Sequence, residues 1–231
     1  MGKHYYRQFK KTYLAVDCVT FCFTGEDLEI ILIRRDFEPG KGQWALPGLF
    51  LEPDESLEEC TRRIMEKFTG LKDVYFDQFH VFSDPRRDPG ARIVTVGFYA
   101  LIKVDEKVRE TVNRHHAYWH KLYRIPPLMF DHSRIVEKAL EALRQKVRHQ
   151  PVGFELLPEK FTIPQLQKLY EAIYNRRFDK RNFRKKVLSL GILEKLAEKD
   201  KQGSRRGAFL YRFNRKKYQQ LQQKGMDFSL T

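Results

Sequence analysis

The chain has 231 residues, 42% hydrophobic and 13% aromatic, and carries 44 Lys and Arg against 30 Asp and Glu, a formal net charge of +14. That length holds one large domain or two small ones, with enough apolar side chains for packed cores. No run approaches the roughly 18 consecutive apolar residues of a membrane span, and the basic, aromatic stretch from Met1 to Thr12 lacks the apolar segment of a secretory signal. Cys18, Cys22 and Cys60 are an odd and sparse set. They argue against a disulfide framework and for a reducing, cytoplasmic setting. The charge is uneven. Residues 151–231 hold 19 basic and 8 acidic side chains, a balance of +11, against +3 for the first 150 residues. Such asymmetry points to an anionic partner, nucleic acid ahead of membrane.

In chain order, Tyr13 to Phe23 and Leu28 to Arg34 read as strands joined by the turn Gly25-Glu26-Asp27. Cys18 and Cys22 lie four apart on the first strand, hence on one face, as buried small hydrophobes. A loop through Pro39-Gly40-Lys41-Gly42 precedes a helix that starts near Ser56. Val74 to Phe82 and Ile93 to Ile102 are further strands, separated by the loop Asp84 to Gly90. Asp131 is expected to cap a helix whose stripe is Ile135, Val136, Ala139, Leu140, Leu143 and Val147. His149 to Glu159, with two prolines and a glycine, reads as a linker between a first domain, 1–150, and a second, 151–231.

The second domain opens on Thr162-Ile163-Pro164-Gln165, a capping box with proline near the helix start. Leu166, Leu169, Tyr170 and Ile173 form the buried stripe of that helix, and Asn175 to Phe178 the turn after it. Asp179 caps a second helix that buries Phe183, Val187 and Leu190 and can stop at Gly191. Ile192 to Lys199 and Ala208 to Asn214 then flank the loop from Asp200 to Gly207 as a two-stranded wing. The order helix, turn, helix, wing is that of a winged helix-turn-helix. On the second helix Arg181, Arg184 and Lys185 share the face opposite Phe183 and Val187, flanked by Lys180, Asn182 and Lys186. Arg reads guanine bidentately, Asn reads adenine and Lys holds phosphate. Arg205 and Arg206 at the wing tip suit a narrow minor groove, and Tyr211 with Arg212 is placed to meet phosphate.

The stretch Leu46 to Leu71 resembles the Nudix box, G-x5-E-x7-R-E-U-x-E-E-x-G-U, with Glu55, Arg63 and Gly70 as anchors. In that register the family's three metal-binding glutamates fall on Ile64, Lys67 and Phe68, and its first glycine on Leu49. Mg²⁺ takes oxygen ligands, and an apolar side chain, an ammonium and a phenyl ring supply none. A Nudix domain without its carboxylates, followed by a winged helix, resembles the Nudix-related transcriptional regulators. That family includes NAD-metabolism repressors and arabinose-responsive regulators. The resemblance covers nearly the whole chain and rests also on Phe130-Asp131-His132, Gly153-Phe154, Phe161-Thr162, Asp179 to Lys186 and Arg206 to Tyr211. The NAD repressors' wing often reads R-G-R where this chain has Arg206-Gly207-Ala208. Tyr5-Tyr6 and His115 to Trp119 lean toward the sugar-responsive branch.

The resemblance implies an α+β chain, a Nudix α/β/α sandwich followed by a winged helix-turn-helix. It implies a homodimer that binds a palindromic operator in double-stranded DNA as a repressor or an activator, responsive to a small effector, a sugar such as arabinose or an ADP-ribose-like nucleotide. No catalytic residue, metal or cofactor is expected. Asp17, Arg35, Trp44, Arg92, His116 and Trp119 are the polar and aromatic residues expected to bind the effector. The alternative functions are a hydrolase of ADP-ribose-type diphosphates, using Glu55, Glu58, Glu59 or Glu66, and a nucleotide-binding adaptor whose basic tail meets RNA or an acidic protein.

Overall fold

The computed structural model describes residues 6–201 and 207–223. Its first half is built on a mixed sheet. β1 (Tyr13–Phe23) pairs in parallel with β6 (Ile93–Ile102) and antiparallel with β2 (Leu28–Arg34) and β4 (Gly48–Phe50). β3 (Trp44–Ala45) and β7 (Ala117–Lys121) add to β2, and β5 (Tyr75–Phe82) adds to β6. Side chains of a strand alternate between faces, and β1 divides accordingly. Val16, Cys18 and Cys22 enter a core with Cys60, Ile64 and Met65 of helix α1 (Leu57–Thr69) and Val112 of α2 (Glu106–Arg114). Val19, Phe21 and Phe23 enter the other core, against Ile135, Ala139 and Leu143 of α3 (His132–His149). The sheet therefore lies between helices, the sandwich read from the sequence, and all three cysteines are buried thiols.

Helix α1 begins at a capping box. The Glu59 N–H donates to Ser56 Oγ at 3.2 Å and the Ser56 N–H to Glu59 Oε2 at 2.7 Å, which satisfies two otherwise orphan amides. It ends at Gly70, φ 70°, where a Cβ would fall 2.6 Å from Thr111 and 3.0 Å from the His115 ring. Only glycine both adopts that conformation and leaves His115 its place. Asp131 stands at the N-cap position of α3 but makes no cap bond, because its carboxylate goes to Arg87 instead.

The stretch expected to be a linker is packed. After α3, Pro151–Leu156 forms a 3-10 helix whose Pro151, Gly153, Phe154 and Leu156 are buried, with the Phe154 ring stacked on Phe213 at 4.5 Å. The apolar core of the α3 face continues through it into Leu166, Tyr170 and Phe183. Beyond it come β8 (Lys160–Thr162), α4 (Ile163–Tyr174), α5 (Lys180–Ser189), β9 (Leu193–Asp200), β10 (Ala208–Phe213) and α6 (Arg215–Gln223). β8 pairs with β10, so the wing sheet has three strands where two were expected. The start of α1 near Ser56, the capping box of α4, the cap of Asp179 on the Asn182 N–H (2.8 Å) and the stripe of α3 are as expected, while the capping box of α1 is new.

Candidate functional site

Two surfaces carry chemistry. The first is a pocket of about 490 Å³ at the end of β1, β2 and β4, closed by the C-terminal part of α1, the α2–β7 corner and the segment before α3. That volume is in the range of small-molecule sites. Of the six expected effector residues, Asp17, Arg35 and His116 line it. Trp44, Arg92 and Trp119 do not. Trp44 lies under Arg34 (3.9 Å) and meets the His120 ring edge-on (4.6 Å), Trp119 packs in the α1-side core under Arg109, and exposed Arg92 donates to the Asp84 carbonyl. Arg34, Phe37, Arg87, Phe130 and His132, none of them among the expected effector residues, also line the pocket.

The floor is a charge network. The Arg87 side chain, 5% exposed, donates to Asp131 at 3.0 and 2.8 Å and lies 3.6 Å from Asp17. A buried guanidinium of this kind persists because a bidentate partner offsets its desolvation. Gly48, paired with Asp17, permits this approach, since a Cβ there would fall 2.3 Å from Asp17 Oδ1. His132 Nδ1 accepts from the Leu46 N–H at 3.0 Å, and burial holds its pKa below the ordinary 6.5. On the wall, Arg35 lies 3.8 Å over the Phe37 ring and 5.9 Å from Phe130. Neither Arg34 nor Arg35 has a carboxylate partner among the described residues. Among the described residues, two of the three non-glycine residues with positive φ, His116 (56°) and Phe130 (47°), line this pocket. Such backbone conformations concentrate at functional sites.

A Nudix fold implies a divalent cation, and the donor set here does not fit one. Ile64 is fully buried in the core, while Lys67 and Phe68 face the pocket. Glu55, the retained glutamate, is bound by Arg63, whose Nε donates at 3.0 Å and which holds its carboxyl down at about 2. Glu59 is committed to the Ser56 cap, and Glu66 to Lys72 at 3.0 Å. Among the described residues no three His, Cys, Asp or Glu side chains cluster as metal ligands do.

The second surface is helix α5. Phe183 and Val187 are buried against Tyr170 and Phe178, and this turns Lys180, Arg181, Asn182, Arg184, Lys185 and Lys186 to solvent. None of its five cations has an ion-pair partner among the described residues. The turn before it is pinned by Glu171, which accepts from the Phe178 N–H and from Gln167 Nε2, both at 2.9 Å. Asn175 supplies the left-handed residue of that turn, φ 51°. Arg205 and Arg206 lie outside the described residues. Tyr211 cannot meet phosphate as expected. It points from the central strand β10 into the core and is 4% exposed, while Arg212 turns outward to Glu194 at 3.1 Å.

The two surfaces are joined by α3. Its N-terminus carries His132 on the pocket lining and, at its N-cap, Asp131 bound to the lining residue Arg87. Near its other end the Arg144 Nε donates to the Ile173 carbonyl at 2.9 Å and the Tyr174 hydroxyl to the Arg144 carbonyl at 2.9 Å. Tyr123 adds its hydroxyl, 3.0 and 3.2 Å from the Ala172 and Ile173 carbonyl oxygens. The last-turn carbonyls of α4, which a helix leaves without internal partners, are thus held by side chains of the first half.

Residues 12–139 match the NUDIX domain family, and residues 153–213 match the NrtR DNA-binding winged helix domain. The chain is 33% identical over 204 residues to the ADPR responsive transcriptional repressor NtrR of Acinetobacter baylyi, covering 87% of this chain and 81% of that one. It is similar in structure to Shewanella oneidensis NrtR complexed with a 27mer DNA, with a TM-score of 0.77 and 30% identity over 87% of this chain and 93% of the other. The NUDIX domain of that Shewanella oneidensis protein, complexed with ADP ribose, matches 62% of this chain and 99% of its own, at 30% identity and a TM-score of 0.52. No helix among the described residues is long and apolar enough to cross a membrane.

Proposed function

Because the chain belongs to the Nudix-related transcriptional regulators with an NrtR-type winged helix, we propose that it represses transcription by binding an operator through α5 and releases it on binding ADP-ribose in the Nudix pocket. The pocket chemistry supports a nucleotide diphosphate. Arg34 and Arg35 are cations without carboxylate partners among the described residues, Phe37 and Phe130 offer aromatic faces, and Asp36 and Asp88 offer acceptors for ribose hydroxyls. Arabinose has no comparable support. The relatives named above respond to ADP-ribose or were seen bound to it, and the pocket carries more cationic groups than a neutral sugar requires.

On the DNA side, Arg181, Asn182 and Arg184 are the base readers and Lys180 and Lys185 the phosphate contacts, with Arg205 and Arg206 assigned to the wing by sequence alone. A homodimer with two-fold symmetry sets two α5 helices in the two halves of a palindrome. The observation that carries the reading is α3, which begins at the pocket floor and ends holding α4. A ligand that rearranges the Arg87–Asp131 network acts on the helix that positions the DNA-binding unit. Coupling follows only if ADP-ribose favours one arrangement of that unit over another.

Selection from a random duplex library at near-physiological salt tests this. The expected result is a palindromic consensus whose enrichment disappears with ADP-ribose and persists with arabinose. No enriched sequence would remove the regulator reading and give precedence to hydrolysis, checked by Mg²⁺-dependent turnover of ADP-ribose.

A further inference from the structure

We propose that Lys67 is the resident counter-cation for the effector's diphosphate, so that this pocket binds its ligand without a divalent metal. The inference rests on the ADP-ribose reading above and adds to it which charge replaces the metal. The Nudix register sets Lys67 and Phe68 where two ligating glutamates belong, and both line the pocket. The third position, Ile64, is fully buried in the apolar core and presents nothing to a ligand.

Lys67 differs from the other pocket cations in what already surrounds it. Arg87 is neutralised by Asp131 and Asp17. Arg34 donates to the Gly42 carbonyl and lies over Trp44, and Arg35 donates to the Phe37 carbonyl and lies over that ring. The Lys67 ammonium has only the Phe68 ring, 5.2 Å away, and no carboxylate partner among the described residues. An ammonium is strongly hydrated and keeps three donors available. It is therefore the cation of this pocket most free to take anionic oxygens.

The backbone beneath Lys67 is held for the task. His115 Nδ1 lies 2.8 Å from the Lys67 carbonyl oxygen. A carbonyl only accepts, so this nitrogen carries the proton. Gly70 leaves the room for that ring, and the next residue, His116, takes the left-handed φ of 56° on the pocket lining. The end of α1 and the α2–β7 corner are thereby tied together on one wall through the Lys67 carbonyl.

The experiment is calorimetry of ADP-ribose with the full chain in EDTA and in Mg²⁺, repeated with Lys67→Met and Lys67→Arg. The expected result is wild-type affinity unchanged between the two buffers. Lys67→Met should weaken binding about tenfold or more, as for a lost charge-assisted bond, while Lys67→Arg keeps most of it and both variants melt like wild type. Binding that requires Mg²⁺, or Lys67→Met binding as tightly as wild type, overturns the proposal and leaves the effector in place. Absence of binding by the wild type in both buffers removes the ADP-ribose reading and this inference together.

Discussion

Helix α5 and the floor of the pocket treat positive charge in opposite ways. On α5 five cations stand in solvent with no partner among the described residues, held only by the burial of Phe183 and Val187 behind them. On the floor, a single guanidinium is 5% exposed and clamped by two carboxylates. Unpartnered surface cations attract a polyanion at range and release counterions on contact, which makes affinity large and strongly salt-dependent. A buried, satisfied network has no positive charge to spare and instead fixes shape. The difference separates roles. One surface binds by charge and reads by its few base-facing groups, and the other holds the pocket's geometry and passes changes in it along α3.

The largest effect expected from breaking this contrast is at Arg87. Arg87→Ala strands Asp131 and Asp17 in a buried site and should cost about 3–5 kcal/mol of stability, measured by denaturant unfolding. A cost within about 1 kcal/mol would mean that the floor is wet and its charges solvated. Next is α5. Arg184→Ala should weaken operator binding by about 1–3 kcal/mol if it reads a base. An equal loss on random duplex would make it a phosphate contact. Lys185→Ala should reduce the slope of log affinity against log salt by about one and weaken all duplexes alike. At the junction, Arg144→Ala removes a donor to the last turn of α4 and should reduce the coupling between ADP-ribose and DNA by about 0.5–2 kcal/mol. Loss of DNA affinity without loss of coupling would assign Arg144 to folding alone.

The smallest effect is a pH dependence of the floor. His132 has its pKa lowered by burial and must stay unprotonated at Nδ1 to accept from Leu46. A base with a depressed folded pKa binds its proton more readily when unfolded, so its contribution is complete above 6.5 and declines as pH falls below that value. The melting temperature should therefore drop between pH 6.5 and 5 more for wild type than for His132→Leu. Parallel curves would show that another group titrates there.

What the sequence disclosed follows from how each surface is assembled. The α5 face is contiguous, and the burial of Phe183 and Val187 alone settles which way Arg181, Arg184 and Lys185 turn. The pocket draws on segments from Asp17 to His132, and no local period says which side chain of a loop faces inward. Trp44 lies on a strand of two residues and Trp119 on one of five, too short for alternation to orient them. Helix α2 escaped notice because Val112 is its one fully buried residue. The 149–159 stretch looked like a linker by its prolines and glycine, yet Phe154, Leu156 and Leu157 anchor it in the core. Tyr211 departs from the expectation because its ring belongs to the inward face of β10, which β8 pairs with and so makes a central strand.

The most direct measurement is the affinity of the selected palindromic duplex at fixed salt with and without saturating ADP-ribose, paired with the affinity for ADP-ribose with and without duplex. The account predicts that the nucleotide weakens DNA binding and that DNA weakens nucleotide binding by the same factor, as linkage between two sites on one body requires. Tight, independent binding of both ligands would contradict it, leaving a chain that holds DNA and nucleotide but does not connect them.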